Sequence, residues 1–415
     1  MSSALAASVL VCAVCFNAIL SIVNGHVVAL ARVHVVLAEV TIYAGAIAII
    51  VSYADRKMWP WLLLALFIVS TGLLISAGNG AFNAKYVRDV LVIPIFIMLG
   101  MTYQGNSFAL PFLTLHTIIV TVAVFEVVSP YAYAELFKIL SYYINTRDFS
   151  AQSFWNTGST LFVSATRPGT RFFSFVEWHR VSSVFLEPVS LGNYCAIAAA
   201  LIVASWYEMN ILVKLYLIGS TFFLLVACDG RLAAISILVI VLVGVLRNVT
   251  GRWSVSYLPV ILFLAAGYVW TFSNGQVSDN FSGRITSTID ALSQLDVLGL
   301  MGLNAATAES VADNGIVYFI LSQSLIGVVV IWLAICLFAP NWTAASRSYV
   351  HGIMIFIPLN LLVSYSFFSI KIASLMWFVY GYRYMKDLVD ETRYARDRVV
   401  DPAMYPAAHD RVVGL

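Results

Sequence analysis

The sequence has few charged side chains: Asp, Glu, Lys and Arg make up 11% of its 415 residues, whereas hydrophobic residues make up 61%. A soluble domain carries roughly 25% charged residues, so this composition excludes a soluble globular protein. The formal net charge of +2 does not by itself indicate nucleic-acid or acidic partners. We expect membrane lipid, and no nucleic acid, among the partners. A mean hydropathy of +0.90 predicts a polytopic membrane protein.

Metal and redox motifs are also lacking. The sequence contains no H-E-x-x-H, no D-x-D and no clustered Asp/His set, so we predict no metal site and no cofactor. Cysteine is scarce, and the C-x-x-C of Cys12 and Cys15 lies inside an apolar run, where packing is its ordinary role. The N-terminus lacks the basic region of a signal peptide, which predicts a retained first transmembrane helix.

Long apolar runs dominate the rest of the chain. A membrane span needs about 20 mostly apolar residues, which predicts an all-α polytopic membrane protein with about eleven or twelve transmembrane helices. The runs lie near 4–23, 33–53, 60–78, 88–104, 108–128, 188–206, 211–228, 232–247, 256–273, 314–338, 349–368 and 371–384. We expect one transmembrane domain, 1–386, and a charged cytoplasmic tail, 387–415, that is mobile or loosely packed.

The basic residues of the short loops predict the orientation, because cytoplasmic loops are enriched in Lys and Arg. With the N-terminus inside, every inner loop except the one near 105–107 holds a cation, and so does the tail: Arg56, Lys57, Lys214, Arg247, Arg252, Arg347, Arg383, Lys386, Arg393, Arg396 and Arg398. Two long segments, about 129–187 and 274–313, then lie on the outer side. The first is aromatic and amphipathic, which predicts short or interfacial helices.

A second group of cations falls on the outer side, where the orientation rule does not explain it: Lys85, Arg88, Arg167, Arg171, Arg180, Arg231 and Arg284. Arginine presents a planar fork that pairs with two phosphate oxygens, so several of them could cradle a pyrophosphate. Arg32, Lys138 and Arg147 are interpreted instead as snorkelling residues at the interface. For Arg231 a local salt bridge with Asp229 is the structural alternative.

Few acidic residues accompany these cations. Glu187 precedes Pro188, so its carboxylate is expected near a helix N-terminus, either as a dipole partner or as a base. Asp313 is either an N-cap or a catalytic or sugar-binding carboxylate. His179 is either a phosphate or sugar contact or a packed residue at the interface. The intramembrane residues Glu39 and Glu126 are expected to form hydrogen bonds within the bundle, with a proton pathway as the alternative.

The run R-V-S-S-V-F-L-E-P-V-S-L-G-N-Y at 180–194 resembles the arginine-led signature of the bacterial O-antigen polymerase and ligase superfamily. The similarity is to its Wzy-type exopolysaccharide polymerase branch, with xanthan-type polymerases nearest. D-G-R at 229–231 is similar to the family's short G-R turn, and 281–318 looks like its last large outer loop. The resemblance covers most of 80–370 in order and spacing. Two departures are Asp313, where ligases usually have histidine, and Glu187-Pro188 in place of Pro-Asn; the first favours a polymerase.

The resemblance implies metal-independent glycosyl transfer at the periplasmic face of the bacterial inner membrane. The donor would be a polysaccharide on polyprenyl pyrophosphate, and the acceptor a lipid-linked repeat unit; flippase and chain-length regulator proteins are implied partners beside membrane lipid. Arg180, Arg231 and Arg284 would polarise the pyrophosphate, and Glu187 or Asp313 would act as base. The expected substrate contacts are His179, Asn314 and Tyr318 for sugar, and Lys85, Arg88 and Arg171 for phosphate.

Three other functions fit parts of the pattern. An O-antigen-type ligase would transfer the finished chain once to another acceptor. A flippase or transporter of lipid-linked sugars would line a central path with charges and often shows internal repeats, but no repeat is visible here. A glycosyltransferase that uses a polyprenyl monophosphate sugar usually has acidic residues in its first outer loop, and residues 24–32 contain none.

Overall fold

The computed structural model describes residues 2–105, 107–147, 149, 160–166, 171–245, 253–272, 281–304 and 314–400, and this part of the chain contains helices but no strand. Short 3-10 turns at Arg56–Met58, Val163–Ala165, Ser183–Phe185 and Ser366–Phe368 join the helices. The α-helices are α1 Ser2–His26, α2 Arg32–Ser52, α3 Trp59–Gly78, α4 Ala84–Met101, α5 Ala109–Val128, α6 Pro130–Phe137, α7 Ile139–Arg147, α8 Pro188–Ala204, α9 Ile211–Cys228, α10 Arg231–Val245, α11 Ser254–Phe272, α12 Phe281–Ser293, α13 Val297–Leu300, α14 Gly315–Leu337, α15 Ala344–Leu361 and α16 Ile370–Val400.

Every predicted apolar run is occupied by one of these helices. In the described part of the chain, seven segments are long and apolar enough to cross a membrane: Ser3–His26, Arg32–Ser52, Arg56–Gly78, Ala109–Val128, Ile211–Cys228, Ser254–Phe272 and Gly315–Leu337. Pro188–Ala204 and Arg231–Gly244 are shorter apolar helices. The prediction of an all-α polytopic membrane protein is therefore confirmed.

Contacts among the segments that connect the helices identify the two ends of the bundle. At one end, the N–H of Gln104 donates to Ser3 Oγ at 3.1 Å, which joins the N-terminus to the α4–α5 connection. At the other end, Asn79 Nδ2 donates to the carbonyl oxygen of Gly302 at 2.8 Å. Each contact joins segments that the sequence assigned to the same side of the membrane. We call the end that holds Asn79 the outer end.

The last helix is longer than its apolar run, because α16 continues from Ile370 to Val400 and crosses the expected domain boundary at 386. Asp387 is buried, and its carboxylate accepts hydrogen bonds from Trp342 N and Ser346 Oγ, both at 2.8 Å. Asp387, the first residue of the expected tail, therefore packs against the start of α15. Residues 401–415 lie outside the described residues.

The core places α4 directly against α16. A Cβ at Gly381 would collide with the backbone of Ile97, and a Cβ at Gly100 would collide with the carbonyl group of Phe378. Small residues allow membrane helices to approach closely, so this pair of glycines fixes the crossing. The crossing holds the outer end of α16 near the outer end of α4, where the candidate site lies.

Candidate functional site at the outer end

The Glu187 carboxylate lies where three helices meet at the outer end. Its Oε1 accepts hydrogen bonds from Tyr143 OH at 2.9 Å and Arg147 Nη1 at 2.8 Å, both on α7. Its Oε2 accepts from Ser190 Oγ on α8 at 2.9 Å and from Lys371 Nζ on α16 at 2.8 Å. Glu187 itself is the N-cap of α8. One carboxylate thus joins α7, α8 and α16.

The opposite charges in this group favour the ionised forms of Glu187 and Arg147. Burial alone would raise the pKa of the Glu187 carboxyl, but Lys371 and Arg147 outweigh burial and hold that pKa well below its usual range. The side chain of Arg147 is 40% exposed; its partial burial would lower its pKa, yet the Glu187 carboxylate raises that pKa above its ordinary value. A carboxylate with a low pKa and four donors is a poor general base. Glu187 is better suited to orient Arg147 and Lys371.

A second ionic group lies at the N-terminus of α4. Arg88 Nη1 is 2.5 Å from Glu39 Oε2, and Arg88 Nη2 is 2.7 Å from Asp89 Oδ1. Tyr318 OH donates to Asp89 Oδ2 at 2.7 Å, and Lys85 Nζ lies 3.9 Å from that same oxygen. The predicted site residues Lys85, Arg88 and Tyr318 are therefore brought together around the carboxylate of Asp89, which was not among the predicted site residues.

The two groups adjoin. Lys85 Nζ lies 5.1 Å from the centroid of the Tyr365 ring, and Tyr365 also interacts electrostatically with Arg147. Arg147 interacts in the same way with Glu39 and Lys85. We call the combined set the outer ionic cluster; it consists of the cations Lys85, Arg88, Arg147 and Lys371 and the carboxylates Glu39, Asp89 and Glu187.

Arg180, which opens the signature run, lies against the C-terminus of α9. Its Nε donates to the carbonyl oxygen of Cys228 at 3.1 Å and its Nη2 to that of Asp229 at 3.4 Å. Arg171 donates to the carbonyl oxygens of Trp178 and, at 3.4 Å, of Ala227. Cations at a helix C-terminus stabilise its unpaired carbonyl groups. These contacts give both arginines a structural role, and their part in phosphate binding stays a prediction.

The middle of the signature run is held by Glu126, which is fully buried on α5. Its carboxylate accepts from Ser182 N at 2.9 Å and Ser183 N at 2.7 Å, and lies 3.1 Å from His179 Nε2. Ser183 and Leu186 have positive φ values of 51° and 60°, a region that non-glycine residues rarely adopt. Glu126 thus forms the expected hydrogen bonds within the bundle, and they offset the strain of a loop that ends at Glu187.

Two further predicted residues meet at the connection that follows α15. Arg284 Nη1 on α12 donates to the carbonyl oxygen of Val363 at 3.1 Å. The hydroxyl of Thr288, one turn later, lies within hydrogen-bond distance of both Asn314 Oδ1, at 3.0 Å, and the carbonyl oxygen of Leu362, at 2.8 Å. Asn314 is the N-cap of α14, so it lies one turn before the helix residue that contacts Asp89.

Arg231 begins α10, and the next residue, Leu232, packs against the small apolar cluster that contains Ile285 and Val363. Leu232 and Arg284 therefore approach the same segment of chain, around Val363, from different helices. Asp313, the second candidate base, and Arg167 lie outside the described residues. In the described part of the chain, no group of three His, Cys, Asp or Glu side chains could hold a metal ion.

Several side chains of the site were missed from the sequence. Arg147 was interpreted as a snorkelling residue, but it is an ion-pair partner of Glu187. Lys371 was treated as the edge of an apolar run, although a lysine that is 2% exposed inside a membrane protein marks a paired charge. Asp89 directly follows Arg88, and this adjacency is the one signal that could have found it.

Comparison of the chain with protein-family models, with curated proteins and with solved structures finds no match.

Proposed function

We propose that the protein is a polysaccharide polymerase that joins polyprenyl-pyrophosphate-linked repeat units at the outer face of the bacterial inner membrane. The outer ionic cluster carries this proposal, because it gathers four cations and three carboxylates where a lipid-linked headgroup would lie. Ionisable groups in a membrane protein are costly and mark functional sites. The additional arginines Arg231 and Arg284, on neighbouring helices, increase the positive charge available to an anionic substrate.

In this proposal, a hydroxyl of the acceptor sugar attacks the anomeric carbon of the donor. The bond between that carbon and the pyrophosphate oxygen breaks, and the pyrophosphate leaves on its polyprenyl chain. Arg147, Lys85 and Arg284 offset the charge that develops on the leaving group, since cations that are already held in place need no reorganisation when such charge develops. Glu187 orients Arg147 and Lys371 and is a poor base. The proton of the attacking hydroxyl is therefore assigned to Asp313, the other candidate base.

The sugar contacts in this proposal are Asn314, Tyr318 and His179. The hydroxyl of Tyr318 donates to Asp89, and its ring lies next to Lys85 Nζ. A sugar bound next to Lys85 would therefore contact the Tyr318 ring. Arg180 and Arg231 contribute through the α9–α10 turn, Arg180 by fixing the end of α9. The outer end of the bundle then faces the periplasm, and the flippase and chain-length regulator proteins are expected partners.

The test uses purified protein in lipid vesicles, supplied with lipid-linked repeat units from the producing bacterium and a chelator. Product length is read by gel electrophoresis or mass spectrometry. A ladder of repeat units supports the polymerase, whereas a single transfer to an added acceptor would establish a ligase instead. Unchanged repeat units from folded protein would remove the proposal. Lys214→Ala is the matched control, because Lys214 lies at the inner end against Trp206 and should not affect the product.

One observation favours a transporter of lipid-linked sugars as the second candidate. Helix α14 is interrupted at Ser324, where φ is 62° and ψ is 160°, and interrupted membrane helices are typical of transporters. Sealed vesicles that carry the lipid-linked repeat unit only in the inner leaflet separate the two functions. A transporter makes the sugar accessible to an external glycosidase without changing its length, whereas a polymerase lengthens it.

A further inference from the structure

Helix α14 consists of two helical pieces that meet at Ser324. The backbone of Ser324 has φ 62° and ψ 160°, a conformation that is essentially restricted to glycine. Ser324 Oγ accepts a hydrogen bond from Gly327 N at 3.1 Å, which is the geometry of an N-cap for the second piece. The break lies about 14 Å along the helix from Gly315, at 1.5 Å per residue.

The residue before the break carries an unsatisfied amide. Gln323 is fully buried, and neither its Oε1 nor its Nε2 has a hydrogen-bond partner. The side chain lies beside two glycines, since a Cβ built at Gly72 of α3 would be 3.8 Å from Gln323 Nε2 and one at Gly327 would be 3.3 Å from Gln323 Cβ. A buried amide without partners is costly, and more so inside a membrane, where no solvent can satisfy it.

The chemistry of the amide selects its ligand. The Nε2 group donates and Oε1 accepts, so a cation or an anion would satisfy only one half of the side chain. A hydroxyl that both donates and accepts satisfies both halves, and because Val87 of α4 already fills the space over Gly72, only a group as small as water is compatible with the site. We propose that Gln323, Gly72 and the break at Ser324 form a binding site for buried water between α3, α4 and α14.

A hydrated break would give α14 a pivot close to the outer ionic cluster. Val87 of α4 reaches the same glycine, Gly72, and it directly precedes the residues that pair with Glu39 and Tyr318. The outer piece of α14 carries Tyr318, whose hydroxyl donates to Asp89. Movement of that piece about Ser324 would therefore change the contact of Tyr318 with Asp89. This inference does not depend on the proposed function, because it concerns water and not a sugar substrate.

The direct test is water-edited solid-state NMR of the wild-type protein in lipid, labelled with ¹⁵N-glutamine. The side-chain signal of Gln323 is assigned by its loss in Gln323→Met. We expect water magnetisation to reach Gln323 Nε2 at short mixing times, as it does for the exposed residue Gln294. Transfer that begins only after spin diffusion through the dry core would overturn the proposal.

Thermal unfolding gives an independent test with opposite signs. If the amide is dry, the apolar and similarly sized side chain of Gln323→Met removes an unsatisfied group and raises Tm. If the amide holds water, the same substitution strands that water and lowers Tm by roughly 2 °C. Ser236→Ala is the matched control, because Ser236 is fully buried with an unpartnered hydroxyl in α10. A rise in Tm for Gln323→Met as large as that for Ser236→Ala would overturn the proposal.

Discussion

Lys371 Nζ lies 2.8 Å from Glu187 Oε2, and this ion pair joins residues that are 184 positions apart in the chain. The lysine also donates to the carbonyl oxygen of Phe185 at 3.0 Å, so it contacts both the loop at 180–187 and the carboxylate of Glu187 at the end of that loop. A buried ion pair contributes little net stability compared with apolar residues, but the loss of one partner leaves an uncompensated charge. The pair is therefore better explained by the position it gives Glu187 than by stability.

The first prediction concerns this coupling. Lys371→Met should lower the free energy of unfolding by about 1.5–3 kcal/mol, because the Glu187 carboxylate loses one charged hydrogen-bond donor while Arg147 still pairs with it. Glu187→Gln should also destabilise the protein. The double variant should lose less than the sum of the two single losses, as measured by thermal unfolding of protein purified in detergent. Additive losses would show that the two side chains act independently.

The second prediction follows from the lowered pKa of Glu187. Because this pKa is lower in the folded than in the unfolded protein, the pairing contributes stability above the unfolded value of about 4.3, and this contribution is lost as the pH falls through the folded pKa. We expect Tm of the wild type to fall as the pH is lowered from 5 towards 3. Glu187→Gln should show a shallower decrease over the same range. Parallel curves would contradict the assignment.

The third prediction tests the hold of Glu126 on the signature loop. Glu126→Ala leaves the N–H groups of Ser182 and Ser183 unsatisfied, at about 1–3 kcal/mol for each buried donor. Glu126→Gln keeps one acceptor oxygen, so its effect should be smaller. Limited proteolysis of the 180–187 segment measures the release, with cleavage fastest in Glu126→Ala. Equal cleavage in both variants and the wild type would show that other contacts hold the loop.

The fourth prediction concerns the crossing of α4 and α16. Gly381→Ala places a Cβ against the backbone of Ile97, so the helices must separate and the site loses its scaffold. Gly219→Ala is the matched control, since nothing lies within 4 Å of a Cβ at that position, and alanine is the better helix former. We expect Tm to fall markedly in the first variant and to stay level or rise in the second. A level Tm in Gly381→Ala would show that the helices adjust.

The helices were predictable because a membrane span needs about 20 consecutive apolar residues, and such a run can be recognised from local sequence alone. The partners of Glu187 were not predictable, since Arg147 and Lys371 reach it only after α7, α8 and α16 have packed. Local sequence shows a charge but not its tertiary partner. The break at Ser324 was not predictable either, because neither glycine nor proline stands at that position. For Arg180, the sequence identified an unusual residue, yet its contacts with the end of α9 depend on a fold that the motif does not describe.

The last prediction tests the outer ionic cluster as the substrate site. Arg147→Ala should lower polymer yield by roughly 10- to 100-fold, because a leaving pyrophosphate would lose one of the donors that offset its charge. Arg147→Lys should recover only part of the yield, since lysine keeps the charge without the planar fork that binds two oxygens. The measurement is the yield and length of polymer from reconstituted protein.

Lys138→Ala is the control for Arg147, because Lys138 lies in the same outer segment and pairs with the exposed residue Glu135. Its loss removes an outer cation that is not part of the cluster, so the polymer should be unchanged. If both variants lose the same yield, the effect is the general positive charge of the outer surface and not the site. If neither loses yield while both stay folded, Arg147 serves only to hold Glu187, and the pyrophosphate must then be bound by Lys85, Arg231 and Arg284.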